Sequence, residues 1–227
     1  MINLLLSCLL SLFLLAGCSG FSDFEDLEQS DLQRNAIWPD PAISSANCPV
    51  VEQQLVEARA LPSIVGKGGC GSKAPFAVSM LKGQHAIDFS REATLNCVMT
   101  SQLHRFFSET VQPLAIKTYG QPVASIQVAA SYSCRPRNSR TGAKLSEHGR
   151  ANAIDISAFT LADGRTMTVE EDWRKRNKDG RFLRAVNLGA CRYFTTVIGP
   201  AGDKYHQNHF HFDHGSHGKK GTWRLCQ

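Results

Sequence analysis

The 227-residue sequence lacks the features that mark several large classes of protein. No Lys/Arg-rich run with interleaved aromatic residues occurs, so charge gives little support to nucleic-acid binding. No apolar run reaches the roughly 20 residues that a membrane-spanning helix needs, and no internal repeat is present. A hydrophobic content of 42% with 20% charged residues lacks the signature of a disordered chain. These absences leave a soluble globular protein, whose net charge of +5 allows weak attraction to an anionic surface such as a cell-wall polymer.

The first 18 residues form one apolar block, which predicts an export signal. Its ending, Leu15-Ala-Gly-Cys18, is similar to a bacterial lipobox, in which the cysteine is acylated and begins the mature protein. No Lys or Arg precedes the block, which departs from the usual basic start of such signals. The resemblance implies a signal peptide over residues 1–18 and a lipid anchor at Cys18. Ser19 after the cysteine then implies the outer membrane, facing the periplasm, whereas the alternative is an ordinary signal peptide with an incidental cysteine.

The chain after the apolar block divides by composition into two parts. Residues 19–47 are polar and acidic, which predicts a flexible tether that lets the domain reach away from a membrane. Residues 48–227 are long enough for one folded domain with its own core. We expect that domain to be monomeric.

Six cysteines remain beyond Cys8 and Cys18, and an even number in an exported chain predicts three disulfides. No two of them form a C-x-x-C pair, which argues against a cysteine metal cluster. Six cysteines allow 15 pairings. Among these we expect the sequential set, Cys48–Cys70, Cys97–Cys134 and Cys191–Cys226.

Hydrophobic patterns predict helices alternating with short strands. Helices are expected over 50–60, over 91–119 with Ser90 as N-cap and Pro113 as a kink, and over 169–188 with a break at Asp179-Gly180. Strands are expected over 76–81, 86–89, 123–131, 153–159, 193–198 and 209–213. This alternation predicts an α+β domain.

Two segments supply the ligand set of a catalytic metal site. Residues 146–155 carry His148 and Asp155, and residues 206–213 carry His209 and His211. Catalytic zinc usually takes three His or carboxylate ligands and keeps one position for water, so His148, Asp155 and one of the two later histidines predict such a site. In a strand His209 and His211 share one face. The same ligand types hold non-haem iron(II), but the wide spacing and the exported context favour zinc.

These segments also carry a family resemblance. Ser146-x-His148-x-x-Ala151-x-Ala-x-Asp155 followed by His209-x-His211 is similar to the pattern S-x-H-x-x-G-x-A-x-D then H-x-H of the LAS metallopeptidases, named for lysostaphin, D-Ala-D-Ala peptidases and sonic hedgehog. Ala151 replaces their glycine. The wider run 132–148, with 209–213 and the Cys226-Gln227 ending, resembles more closely the extensin-like C-terminal domain family. The resemblance implies an α+β fold in which helices flank a small antiparallel sheet that carries zinc.

The resemblance also implies a role for each site residue. His148, Asp155 and His211 would bind Zn²⁺, and His209 would be the general base for a zinc-activated water. His206 would assist it, or be a polar loop residue, and Arg135 would stabilise an oxyanion or substrate carboxylate, or be a solvated loop arginine. Ser146 and Asp213 are expected to contact the metal ligands and orient them. His214 and His217 are expected to be exposed.

The expected activity is that of a zinc metallopeptidase that cleaves cross-links or stem peptides of peptidoglycan, as endopeptidase or carboxypeptidase. Its partners would be peptidoglycan and, through the anchor, a membrane, with no nucleic acid. The alternative is a catalytically silent lipoprotein that keeps zinc for structure and binds the cell wall or acts as a scaffold. The presence of His206 and His209 favours the enzyme, because a silent site needs no base.

Overall fold

A computed structural model describes residues 34–44, 47–219, 221 and 223–227. The predicted signal peptide, the predicted anchor Cys18 and most of the predicted tether lie outside these residues. No helix within the described ranges is long and apolar enough to cross a membrane.

The described residues form eleven strands and five α-helical segments. The strands are β1 Val56–Ala60, β2 Ile64–Val65, β3 Gly71–Ser72, β4 Phe76–Leu81, β5 Ile87–Leu95, β6 Val123–Ala130, β7 Ala153–Leu161, β8 Thr166–Thr168, β9 Thr196–Ile198, β10 Phe210–Asp213 and β11 Leu225–Cys226. The helices are α1 Pro49–Glu52, α2 Cys97–Phe106, α3 Gln112–Tyr119, α4 Val169–Asp172 and α5 Lys178–Ala190. The α+β class expected from the sequence is confirmed.

Nine of these strands build one sheet in the order β1-β4-β5-β6-β7-β10-β9-β11, with β8 also paired to β7, and β2 and β3 form a separate pair. The pairs β5–β6 and β9–β11 are parallel, and the others are antiparallel. The expected small, wholly antiparallel sheet is therefore wrong in size and in part of its pairing. The error in size has a physical cause, because the unpredicted strands β1, β8 and β11, of two to five residues, are too short to show an alternating pattern of their own.

An aromatic core fixes the orientation of the central strands β7 and β10. Phe210 and Phe212 lie on one face of β10, where Phe212 packs against Phe106 of α2 at 5.6 Å between ring centroids. Phe159 of β7 packs against Phe182 of α5 at 6.0 Å. All five of these phenylalanines are fully buried, and burying such side chains is the main favourable term in folding. The opposite face of β10 is thereby left to His211.

A register shift in β7 lets this strand serve both the core and the opposite face. Residues Gln127 and Val128 of β6 pair with Ala158 and Ile156, so Ser157 is left out of the register. Bulges of this kind reverse which residues face each side of a sheet and are frequent beside functional sites. In a regular strand Phe159 would face the same side as Asp155, because the two residues are four positions apart. The shift turns Phe159 to the opposite side, where it is buried in the core.

Several predicted elements are confirmed and others need correction. The strands over 76–81, 123–131 and 153–159 are present as β4, β6 and β7. The helix expected from residue 91 begins instead at Cys97, because β5 continues to Leu95 by pairing with β4. Asn96 caps the helix by accepting a hydrogen bond from the Met99 amide at 2.8 Å.

Two further helix predictions were partly wrong. The helix expected over 50–60 stops at Glu52, and Gln54, with φ of 55°, turns the chain into β1. The break expected at Asp179-Gly180 lies instead between α4 and α5. Gly180 sits in the first turn of α5, where a Cβ would collide with the Lys175 carbonyl.

Three disulfides are present, but two of the expected pairings were wrong. The bonds are Cys48–Cys97, Cys70–Cys134 and Cys191–Cys226, with Cα–Cα distances of 5.6, 5.6 and 5.9 Å. Sequential pairing assumes that neighbours in sequence meet first. Here the start of α1 lies on the start of α2, and the segment before β3 lies beside the chain leaving β6, so the fold brings more distant cysteines together.

The chain before Cys48 also contacts the domain. The Ile37 amide donates to the Arg192 carbonyl at 2.6 Å. The guanidinium of Arg224 donates to the carbonyls of Ile37 and Phe194 at 3.1 and 2.7 Å and lies 4.3 Å from the ring centroid of Trp38. Residues 37–38 therefore pack beside the C-terminal strand β11.

Removing one disulfide tests the connectivity. The variant Cys70→Ala/Cys134→Ala should lose about 4 kcal/mol of unfolding free energy, because the bond closes a separation of 64 residues in the unfolded chain. Urea denaturation measures the loss, and mass spectrometry of non-reduced peptides identifies the pairs. A Cys48–Cys70 peptide, or a variant as stable as the parent, would contradict the connectivity.

Candidate metal centre

Three ligand atoms converge on one face of the sheet. The Nε2 of His148, the Oδ1 of Asp155 and the Nδ1 of His211 are separated by 3.2 Å (His148 to Asp155), 3.2 Å (His148 to His211) and 2.9 Å (His211 to Asp155). All three residues are buried, and their ligand atoms lie close enough to hold one metal ion.

The sheet and one turn place these three side chains. Asp155 and His211 are direct partners across the antiparallel pair β7–β10, so their side chains leave the same face side by side. His148 comes from a 3-10 turn over Glu147–Arg150 that leads into β7. Ala151 closes this turn in the left-handed region, with φ of 53°. Glycine suits that conformation better than alanine does.

The second nitrogen of each imidazole has its own acceptor. Nδ1 of His148 donates to the Ser131 carbonyl at 2.5 Å, and Nε2 of His211 donates to Oδ2 of Asp213 at 2.8 Å. These bonds leave His148 Nε2 and His211 Nδ1 to present lone pairs toward the carboxylate when the rings are neutral. Three acceptor atoms at hydrogen-bond distance then need a shared cation, either a proton or a metal ion.

The pKa values describe how a proton fills this role. Burial alone would lower the pKa of His211, but hydrogen bonds and charge from Asp155 and Asp213 raise it to about 10. Burial alone would raise the pKa of Asp155, but hydrogen bonds from His148 and His211 hold it well below its usual range. Without a metal the cluster therefore keeps a carboxylate beside a protonated His211.

Two more histidines lie beside the three ligand atoms. Nε2 of His209 is 3.7 Å from Oδ2 of Asp155, while its Nδ1 lies 2.8 Å from the side-chain oxygen of Asn208. The ring of His206 is 5.0 Å from that of His209 between centroids. Burial lowers the pKa of His209, and the neighbouring histidines lower it further against the charge of Asp155. His209 is thus disposed to be neutral and able to accept a proton.

One cleft of about 400 Å³ is lined by the three ligand residues together with His206, His209 and Asp213. Arg135 also lines the cleft, and its side chain has no hydrogen bond or ion pair with any other described residue. Ser146 lines the cleft as well, but its hydroxyl does not bond to any of the ligand residues. Of the two residues expected to support the ligands, Asp213 thus contacts one directly and Ser146 does not.

Sequence reasoning missed other groups in the cleft. Oδ1 of Asp203 accepts a hydrogen bond from Nδ1 of His206 at 2.7 Å, so it fixes the orientation of this ring. His217, expected to be exposed, lines the cleft and bonds to the Thr196 hydroxyl at 2.7 Å. Asp203 ends the loop Gly199-Pro-Ala-Gly-Asp203, and an aspartate three residues before a histidine is a local turn signal that marks such a contact.

His214 also differs from its expected exposure. Both ring nitrogens of His214 are buried without a hydrogen-bond partner in the described part of the chain, and the ring lies 5.4 Å from that of Phe194. Burial lowers the pKa of His214 to about 4, with Asp213 and Arg224 acting in opposite directions.

Comparison with known proteins identifies a family. The family model described as "Extensin-like protein C-terminus" matches residues 46–227. No curated protein and no solved structure matches the chain.

The buried His214 predicts a pH dependence of stability. Its pKa is about 4 in the folded protein and about 6.5 in an unfolded chain. The unfolded state therefore binds this proton more readily, so the unfolding free energy should fall by on the order of 3 kcal/mol as the pH drops from 6.5 to 4. His214→Phe should flatten this slope, as measured by urea denaturation of the metal-free full chain at several pH values.

The matched control is His85→Phe, which changes an imidazole far from this site. The lowered pKa of His209 gives a pH dependence of stability of the same sign in the parent and in both variants. The difference in pH slope between His214→Phe and the other two proteins therefore reports on His214 alone. If His214→Phe loses stability with the same pH slope as the parent, the buried neutral state of His214 is refuted.

Proposed function

We propose that this chain, which belongs to the extensin-like protein C-terminus family, is a zinc-dependent peptidoglycan hydrolase. It would cleave peptide cross-links or stem peptides of the bacterial cell wall from the periplasmic side of the outer membrane, anchored through Cys18. The observation that carries the proposal is the convergence of His148, Asp155 and His211 in a cleft that also holds His206 and His209. The predicted export signal and lipobox support the compartment, and the LAS-like motif spacing supports the reaction.

The donor set fits zinc. Two imidazole nitrogens and one carboxylate oxygen are the ligand types of catalytic zinc, with bonds of about 2.0–2.2 Å. Ligands at tetrahedral angles around such an ion lie roughly 3.3 Å apart, close to the separations of 2.9–3.2 Å within this cluster. The hydrogen bonds from His148 to Ser131 and from His211 to Asp213 would hold both rings in the binding tautomer.

When bound, zinc supplies a Lewis acid that lowers the pKa of a coordinated water toward about 7. The chain itself would position the proton-accepting side chains around the metal site. His209 reaches the carboxylate of Asp155 from the cleft side, so its Nε2 can accept a proton beside the cluster and return it to the leaving amine. His206, oriented by Asp203, is the second group able to hold a proton there.

Arg135 would serve the substrate. It lines the cleft with an unpaired guanidinium, and a guanidinium matches a carboxylate or a developing oxyanion with two parallel hydrogen bonds. The position of Arg135 in the lining of the cleft supports this role over that of a solvated loop arginine.

Zinc binding is the first test. The metal-free full chain should bind one zinc ion, and Asp155→Ala should abolish this binding because it removes a ligand. Asp213→Asn should weaken binding by about 10- to 100-fold, because His211 loses the acceptor that orients it. Competition with a chelating dye measures the affinities, with the exposed Asp88→Asn as the control. Equal zinc affinity in Asp155→Ala and the parent would refute the assigned ligands.

Hydrolysis is the second test. The full chain, incubated with murein sacculi, should release muropeptides when zinc is bound and not after its removal by a chelator. His209→Ala should slow this release by about 10²- to 10⁴-fold while zinc stays bound. His85→Ala should have no effect. Mass spectrometry of the muropeptides identifies the bond that is cut.

Two outcomes would go against the enzyme. The absence of any zinc-dependent product would refute hydrolysis. A cellular phenotype that survives His209→Ala with zinc still bound would favour the silent cell-wall-binding lipoprotein, since a scaffold does not depend on a base.

A further inference from the structure

A basic loop borders the cleft. The loop over residues 135–145 is closed at its base by the bridge between Pro136 and Leu145, and the Arg137 amide donates to the Lys144 carbonyl at 2.9 Å. Cys134, directly before the loop, is bonded to Cys70. The loop is therefore held at its base by a covalent bond and a strand-like pair.

The backbone at the tip of this loop is strained. Asn138 and Ser139 both lie in the left-handed region, with φ of 52° and 54°. Non-glycine residues adopt this conformation at a cost of order 1 kcal/mol or more, and such residues cluster at binding sites. The conformation turns the loop so that Arg137 and Asn138 line the cleft.

The charges on this loop are all of one sign and are not neutralised within the described chain. Arg135, Arg137, Arg140 and Lys144 have no side-chain hydrogen bond or ion pair with another described residue. The nearest carboxylate along the chain, Glu147, already accepts from Arg150 and Asn152, each at 2.9 Å. Arg135 and Arg137 line the cleft, and four cations without a counterion on one loop favour an anionic ligand.

A second groove adjoins the cleft at Arg137. Its volume is about 610 Å³, and it shares Arg137 and Glu147 with the cleft that holds the metal cluster. Lys144 adds a second unpaired cation to its lining, whereas Arg150 is paired with Glu147 there. Leu145 adds an apolar side, and His214 forms part of the wall. A ligand that extends from the cleft past Arg137 would therefore enter this groove without leaving the protein surface.

We propose that this second groove binds the carboxylates of an acidic peptide whose reacting part lies in the metal cleft. The proposal rests on the proposed function for the identity of the reaction, and it adds a binding site remote from the bond that is cut. Guanidinium and ammonium groups recognise carboxylates, and Arg137 stands where it can contact the peptide in both grooves. A nucleic acid is disfavoured, because the groove has no Phe, Tyr or Trp for stacking bases.

The test measures binding without hydrolysis. The probe is a stem peptide with several free carboxyl groups, released from sacculi and labelled with a fluorophore, and its matched partner is the same peptide with every carboxyl amidated. Both are titrated with the metal-free full chain in the presence of a chelator. The variant Arg137→Gln/Lys144→Gln is compared with Lys73→Gln/Lys117→Gln, which removes the same charge from exposed sites elsewhere.

The expected result is a loss of affinity confined to one variant and one peptide. The Kd of the free-carboxyl peptide should rise about tenfold in Arg137→Gln/Lys144→Gln and should not change in the control pair. The amidated peptide should bind weakly and equally to all three proteins. Raising the salt concentration should reduce the tenfold difference, because the contacts are between charges.

Three results would overturn the groove assignment. These are an equal loss in the control pair, unchanged affinity in the groove variant, and equally tight binding of the amidated peptide. Displacement of the probe by a DNA oligonucleotide at the same concentration as unlabelled peptide would overturn the choice of an acidic peptide. Since the binding assay involves no metal and no hydrolysis, failure of carboxylate binding in the groove can be told apart from failure of the sacculus assay.

Discussion

The structure depends on one cross-strand contact, the buried pair of Asp155 on β7 and His211 on β10. Two acceptor atoms 2.9 Å apart inside a protein need a shared cation. The register of the central sheet creates this situation, since Asp155 and His211 are paired while Ile154, Ile156, Phe210 and Phe212 cover the other face. A slip of one residue would exchange the two sets and bury the charged pair in the aromatic core, so the core and the site specify the same register.

The remaining parts of the molecule support this pair. The bulge at Ser157 lets Phe159 of β7 face the core although Asp155 faces the site. The turn over Glu147–Arg150 adds His148, and the Cys70–Cys134 disulfide holds the loop that borders the cleft. A buried pair that lacked these supports would be costly, because an unpaired buried charge destabilises a protein by several kcal/mol. The polar cluster thus explains why so much of the sheet is organised around the pairing of β7 with the four-residue strand β10.

The sequence was informative where the chemistry is local. His148 and Asp155 lie seven residues apart across one turn and one strand, and His209 and His211 alternate around the start of β10. Their ligand types, their spacing and the family resemblance together pointed to one site. The strand over 76–81 was recognisable from its apolar run. Prediction from the sequence failed where contacts between residues distant in sequence determine the structure. Ala93 to Leu95 were expected in a helix but pair with β4, the cysteines pair across the fold, and the ring nitrogens of His214 are buried by contacts that no local pattern shows.

The central claim is that His148, Asp155 and His211 hold one zinc ion and leave a position free. Zinc K-edge X-ray absorption on the zinc-loaded full chain tests it most directly, because it reports the ligand types and their distances. The account predicts two imidazoles within a shell of about four nitrogen and oxygen atoms at roughly 2.0–2.2 Å. Sulfur ligands at about 2.3 Å, or a shell without imidazoles, would contradict it.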